Sequence, residues 1–308
     1  MFWLGIICLV ATGLFWVLLG AIVGAVERRG LSTALLMILL ASGMVAICGC
    51  VVAVLPASPL PSRQDVLAAA SLFCAGFFDY MLFLMMGRAM RNGPNGIVWT
   101  VAQSGVIFPF LFGVIFYSVP VTMLRGLGMV AVLAALVCNG LAKRSGEAQG
   151  SDSGAGSWRF WMFLAFLAAG GNQVFTNWPS YYEGIRDGFS AYSRTFWLYV
   201  GYLAGFAFSE NRRLFQRSYW RQFGDRQLWG FAALWIVGTL VVNFWLTFQG
   251  IDLVTAHGLG AICYPVMVCS CLVGFPVYST LVLRERCTSL QWVALLTGVA
   301  GIVMISVE

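Results

Sequence analysis

The sequence predicts an all-α membrane protein whose helices cross the bilayer many times. Of the 308 residues, 60% are hydrophobic and only 10% are charged, whereas soluble domains carry roughly 25% charged residues. The apolar residues also fall into blocks of about 20, which is the length of a helix that spans the hydrocarbon core of a bilayer. The composition and this block length together exclude a water-soluble globule.

Ten apolar segments follow one another along the chain, and each is predicted to form one membrane-spanning helix. The first segment lacks a basic N-terminal region and is too long for the apolar core of a secretory signal peptide, so we expect it to form the first helix. The first to tenth segments cover about 2–25, 32–55, 66–88, 96–117, 121–142, 160–178, 189–208, 228–248, 256–282 and 289–306.

Basic residues are divided unevenly between the two sets of loops. The loops after odd-numbered segments hold 14 of the 18 Lys and Arg residues. Loops rich in Lys and Arg face the cytoplasm in membrane proteins. We therefore expect a multi-pass protein of the inner (plasma) membrane of the cell, with both termini outside the cytoplasm.

A Gly- and Ser-rich stretch at the midpoint separates two halves that resemble each other. Shifting the chain by 164 residues places "DYMLFL" (79–84) over "NFWLTF" (243–248), and further short matches follow in chain order. With five helices in each half, the second copy must enter the membrane in the opposite orientation, as in the inverted repeats of secondary transporters. We predict a first five-helix repeat at 1–142, a cytoplasmic linker at 143–159 and a second repeat at 160–308.

One carboxylate, Asp79, lies in the middle of the apolar third segment, in "CAGFFDYMLFLMMG". A charge at the bilayer centre costs at least about 2.5–3.5 kcal/mol on insertion scales. Arg125 and Arg194 fall near helix ends, and no other base is predicted within the helices, so we expect Asp79 to lack an ion-pair partner. Such an acid can take up and release a proton as its cavity opens to either side. The alternative is that Asp79 stays protonated, or bonds to a neighbouring hydroxyl, and only orders its helix.

Amide and aromatic side chains are predicted to share the interior with Asp79. Buried amides are costly in lipid unless they are hydrogen-bonded, and aromatic faces stack on sugar rings or flat organic ligands. The alternative is that the amides join helices and that the rings only pack. The repeat match pairs Asp79 with Asn243, an amide that does not titrate. The predicted substrate-binding residues are Trp16, Asp79, Tyr80, Trp99, Gln103, Asn172, Gln173, Asn243 and Tyr264.

Several of these features resemble the drug/metabolite transporter superfamily. They are ten helices arranged as five plus five, a polar centre, and fourth and ninth helices interrupted by Gly and Pro. Within the superfamily, the uncharged N-terminus, the "RR" of the first loop, "Gly76-x-x-Asp79-Tyr80" and "NWPSYY" (177–182) are most similar to the branch that contains the L-rhamnose/proton symporter. The resemblance spans the chain. It departs from that branch at Asp79, where a neutral amide is expected, so it does not specify the sugar.

The residues and the resemblance together predict a secondary active transporter that moves a small polar metabolite, such as a sugar, by alternating access. Asp79 is the predicted proton-coupling residue. An exporter of amino acids, or of aromatic or cationic drugs, is the alternative within the same superfamily. The internal repeat argues against a purely structural protein or a receptor.

Other classes of function lack the residues they need. An intramembrane enzyme requires a nucleophile–base pair or a metal cluster, and His257 is the only histidine among 308 residues. We therefore expect no enzymatic activity, no metal and no cofactor. The expected partners are the small-molecule substrate, the proton and the lipid bilayer, without nucleic acid, for a monomer or a homodimer.

Overall fold

The computed structural model describes residues 1–29, 31–54, 63–92, 98, 101–144, 155–210, 220–281 and 289–306, and these contain helices but no strand. Short 3-10 turns cover Ser104–Val106, Trp178–Tyr181, Arg221–Gly224 and Gly260–Ile262, and a π-helical segment covers Asn243–Thr247. The α-helices are α1 (Phe2–Arg28), α2 (Thr33–Val54), α3 (Arg63–Asn92), α4 (Ile107–Tyr117), α5 (Met123–Arg144), α6 (Ala155–Asn177), α7 (Glu183–Gly188), α8 (Ala191–Glu210), α9 (Arg226–Val242), α10 (Phe248–Ala256), α11 (Cys263–Leu281) and α12 (Ser289–Ser306).

The prediction of an all-helical protein is confirmed for the described residues. In the described ranges, five helices are long and apolar enough to cross a membrane, and three apolar helices are shorter. α6 and α8 contain 23 and 20 residues, but polar side chains interrupt their apolar character. The five long helices are Phe2–Leu19, Thr33–Val54, Arg63–Ala89, Arg226–Ala256 and Ser289–Ser306, and the shorter ones are Val101–Tyr117, Met123–Cys138 and Gly260–Gly274.

Two predicted boundaries differ in the structure. The eighth segment does not end near 248, because the helix continues to Ala256. Gly258 ends it with a φ of +76°, a left-handed conformation that glycine adopts at the C-terminus of a helix. Its N–H bonds back to the Thr255 carbonyl, and the next N–H bonds to the Val254 carbonyl. The predicted linker (143–159) lies mostly outside the described residues, and α6 begins inside it at Ala155.

The buried apolar side chains form two large clusters. Cluster A joins α4, α5, α10, α11 and α12 with the first half of α1, for example through Leu9, Leu136 and Met267. Cluster B joins α2, α3, α8 and α9 with the second half of α1, for example through Met44 and Trp235. α1 and the α9–α10 pair therefore pass from one cluster to the other.

Glycines allow α3 and α8 to approach each other at backbone distance. A methyl group added at Gly76 of α3 would overlap the carbonyl oxygen of Leu198 in α8, and one added at Gly201 of α8 would overlap the carbonyl oxygen of Phe73. Small residues of this kind replace side-chain packing by direct backbone contact between membrane helices. This contact fixes α3, and with it Asp79 one helical turn further on, against α8.

Candidate functional site

Asp79 of α3 is held by a short chain of polar side chains from α6. The Asn172 amide donates from Nδ2 to Oδ1 of Asp79 at 2.9 Å, and the Thr176 hydroxyl donates to the Asn172 amide oxygen at 3.1 Å. Asn172 and Thr176 are four residues apart and therefore lie on the same face of α6. The Thr176 bond occupies the oxygen end of the amide, so the nitrogen end is directed at Asp79.

Tyrosines from both clusters lie in the neighbourhood of this carboxylate. Tyr264 of cluster A and Tyr199 and Tyr202 of cluster B each lie within electrostatic range of Asp79. The Trp16 ring lies 6.4 Å from the Tyr264 ring. Asp79 is nevertheless only partly buried. The α3 residues beside Asp79 belong to cluster B and Tyr264 belongs to cluster A, so Asp79 lies near the boundary between the two clusters.

The other predicted site residues occupy different places. Tyr80 packs edge-on against Tyr202 in cluster B, at 5.3 Å between ring centres, and its hydroxyl accepts a hydrogen bond from Ser209 at 3.2 Å. Its ring thus belongs to the α3–α8 packing. Gln173 is buried, and its side-chain oxygen has no hydrogen-bond partner in the described structure. Trp99 lies outside the described residues.

Gln103 and Asn243 are not joined to Asp79 by a hydrogen bond in the part of the chain that is described. Gln103 directly precedes the 3-10 turn that leads into α4. Asn243 is the first residue of the π-helical segment. Of the nine predicted residues, the structure joins Asp79 and Asn172 by a hydrogen bond and places Trp16 beside Tyr264.

The π-helical segment lies where the α9–α10 pair passes from cluster B to cluster A. Single π-helical turns inside α-helices are frequent at functional sites. The segment is tied to α1 by the Thr247 and Thr12 hydroxyls, whose oxygens are 3.3 Å apart. The repeat match selects Asn243, but the sequence carries no signal for the π-helical geometry.

The structure contains a buried ion pair that the sequence does not predict. The sequence places Arg194 near a helix end and gives no reason to select Asp252. In the structure Arg194 is 1% exposed, and its Nη1 lies 2.8 Å from Oδ1 of Asp252 in α10. The two residues are 58 positions apart, so no local sequence pattern could have linked them.

No protein-family model and no curated protein matches the chain. One protein of known crystal structure has a TM-score of 0.69 to this chain at 15% sequence identity, and the match covers 98% of each chain. At this identity the likeness shows a shared fold over almost the whole length. It assigns no substrate and no activity.

Proposed function

We propose that the protein is a secondary active transporter that moves a small polar metabolite, such as a sugar, and couples this movement to protons through Asp79. The observation that carries the proposal is the position of Asp79, which lies between two packed clusters of apolar helices and is held by one amide. An acid inside such a bundle marks a substrate path or a proton relay. Because clusters A and B meet at a polar boundary, they can separate on one side of the Asp79 site or on the other.

The packing partners support two inverted five-helix repeats, 1–142 and 160–308. If a two-fold axis exchanges the first five segments with the last five, a contact between the third and sixth segments requires one between the eighth and first. Both contacts are present: α3 packs on α6 (third and sixth segments), and α1 packs on α9 and α10, which together form the eighth segment. The same axis maps a contact between the second and seventh segments onto itself, and likewise a contact between the fifth and tenth. Both are present, because α2 packs on α8 (second and seventh segments) and α5 packs on α12 (fifth and tenth segments). Two orientations of one fold would supply states of similar energy that open to opposite sides.

The chemistry around Asp79 favours a neutral substrate with hydroxyl groups. An ionised carboxylate has about four acceptor sites, and Asn172 occupies one of them, so the others can accept from hydroxyls of a bound molecule. The partly exposed ring of Trp16, which packs beside Tyr264, offers a face against which an apolar sugar face can stack. This agrees with the resemblance to the rhamnose/proton symporter branch of the drug/metabolite transporters. On this proposal the protein lies in the plasma membrane with both termini outside.

Export of an amino acid or organic cation is a second candidate that one observation favours. A carboxylate near Tyr199, Tyr202 and Tyr264 can attract a cation both by charge and through the tyrosine rings. The two candidates predict different substrates for the same site.

Uptake by proteoliposomes tests the proposal and separates the candidates. Purified protein is reconstituted and offered labelled sugars, amino acids and organic cations, with and without a pH gradient. We expect saturable uptake of a sugar that an inward proton gradient increases. Movement of cations alone would support the second candidate. Movement of none of these classes above protein-free liposomes would contradict transport of a small polar or cationic metabolite.

The amides provide a test of the site itself. Each of Asn172→Ala, Gln103→Ala and Asn243→Ala removes one side chain able to bond to substrate. The loss of one hydrogen bond costs about 0.5–1.5 kcal/mol, so we expect each change to weaken binding roughly 3- to 10-fold while the folded yield in detergent is retained. Gln249→Ala, at an exposed amide of α10, is the matched control and should bind normally. Normal binding by all three variants would mean that the amides only join helices.

A further inference from the structure

The ion pair between Arg194 and Asp252 lies at one end of the molecule, and further hydrogen bonds hold the Arg194 side chain in place. Besides the contact with Asp252, Nη1 of Arg194 donates to the Ser180 hydroxyl at 3.2 Å. Asp252 remains within reach of water, with 23% of its side chain exposed, against 2% for Arg194. The remaining guanidinium nitrogens donate to the carbonyl oxygens of Phe189 at 3.1 Å, Arg186 at 3.3 Å and Ile185 at 3.4 Å.

The pair crosses the boundary between the two clusters. Arg194 belongs to α8, which packs in cluster B through Tyr199 and Tyr202. Asp252 belongs to α10, where its neighbour Ile251 is buried in cluster A. A second polar contact lies at the same end, where Asn177 at the end of α6 donates to the Gly260 carbonyl at 2.8 Å. Two polar links thus fasten one end of the molecule.

The candidate site lies further along the same helices, α6 and α8. Arg194 precedes Tyr199 by five residues, which is about 7.5 Å along a helix at 1.5 Å per residue. Asn177 directly follows Thr176, the residue that orients Asn172. The ion pair joins α8 to α10 at the end of the molecule from which α8 leads toward Tyr199.

An ion pair suits a contact that must open repeatedly. A buried pair seldom stabilises a protein more than apolar side chains of the same size, because both charges lose water when they are buried. When the contact opens, however, water solvates both charges, whereas apolar surfaces would be exposed at a continuing cost. The partial exposure of Asp252 provides the route by which water enters.

We infer that Arg194 and Asp252 form a gate, which closes the Asp79 site toward this end of the molecule and parts whenever the site opens there. The inference rests on the proposed transport function, since only alternating access requires the end to open. In the structure the gate is shut. Arg194 and Asp252 are therefore needed for the transport cycle although they do not belong to the Asp79 site.

Reactivity of a reporter thiol tests the gate without any substrate. Thr195 of α8 follows Arg194, is 0% exposed, and its hydroxyl has no hydrogen-bond partner in the described structure. Thr195→Cys is introduced into a chain whose nine native cysteines are replaced by Ala or Ser. A polar maleimide is added to the protein in detergent, where it can reach both ends. We expect Asp252→Asn, and the double variant Arg194→Gln/Asp252→Asn, to be labelled at least about tenfold faster than the parent.

The double variant keeps the test decisive if a single change leaves an unpaired buried charge and prevents folding. Glu183→Gln is the matched control, because it breaks the ion pair with Arg186, which spans 3.7 Å with Glu183 83% exposed. It should leave labelling unchanged. Equal labelling of the double variant and the parent, or equal acceleration by Glu183→Gln, would overturn the gate. Fast labelling of the double variant without uptake of any substrate class would instead leave the gate standing and count against the proposed transport.

Discussion

The Asp79→Asn variant is expected to bind substrate but to lose accumulation driven by a pH gradient. Asparagine has nearly the size of aspartate and retains a carbonyl oxygen that can accept the hydrogen bond from Asn172 at 2.9 Å, so the fold and the binding geometry should persist. The change removes only the ability to gain and lose a proton. It also gives α3 the residue type that the repeat match places at Asn243.

Three measurements on proteoliposomes define this result. Accumulation against a substrate gradient in response to a pH difference should fall to the level of protein-free vesicles, while exchange of labelled for unlabelled substrate continues. Substrate affinity should depend on pH in the native protein, and this dependence should be largely absent from the variant. Asp65→Asn, which removes an acid from the first turn of the same helix, is the control and should accumulate normally. Unimpaired accumulation by Asp79→Asn would mean that the acid is structural.

The Gly76→Ala variant is expected to be the most destabilising small change in the α3–α8 contact. The added methyl group would overlap the Leu198 carbonyl oxygen, which belongs to the backbone and cannot turn aside as a side chain would. Overpacking of this kind typically costs 1–3 kcal/mol, and we expect about that loss, or a failure to obtain folded protein. Gly201→Ala should behave alike, because its methyl group would overlap the Phe73 carbonyl oxygen.

Thermal unfolding in detergent, followed by the loss of monodisperse protein, measures this effect. The matched control is Gly230→Ala in α9, where an added methyl group meets no atom within 4 Å. Replacing glycine by alanine inside a helix favours the helix by roughly 0.5–1 kcal/mol, so the control should melt at the same temperature or slightly higher. If Gly76→Ala melts like Gly230→Ala, α3 and α8 do not touch as closely as the structure has them.

The helical segments could be predicted from sequence because lipid imposes length and apolarity on each of them. Asp79 and Asn172 could be selected for a related reason, since a polar side chain stands out in an apolar helix. Their hydrogen bond could not be derived, because it depends on how α3 and α6 rotate against each other. The same limit applies to Tyr80, which the sequence predicts to lie in the site and which the structure packs against α8. One position along a helix turns a side chain by about 100°, and hydropathy does not say which side faces the site.

The gate shows a second limit of sequence reasoning. Arg194 lies near a helix start, where a basic residue in a membrane protein ordinarily reaches toward water or headgroups. Only the fold brings α10 to it and places Asp252 opposite. The extension of the eighth segment to Ala256, which hydropathy placed eight residues too early, is what carries Asp252 to that position within a helix.

Proton movement driven by substrate alone tests the central claim most directly. Native protein is reconstituted into vesicles that contain a pH-sensitive dye, at equal pH inside and outside, and a sugar that binds the protein is added outside. Coupled transport predicts that the vesicle interior acidifies as the sugar enters, and that vesicles containing Asp79→Asn show no such change. Entry of labelled sugar into the native vesicles without any change of internal pH would contradict proton coupling through Asp79.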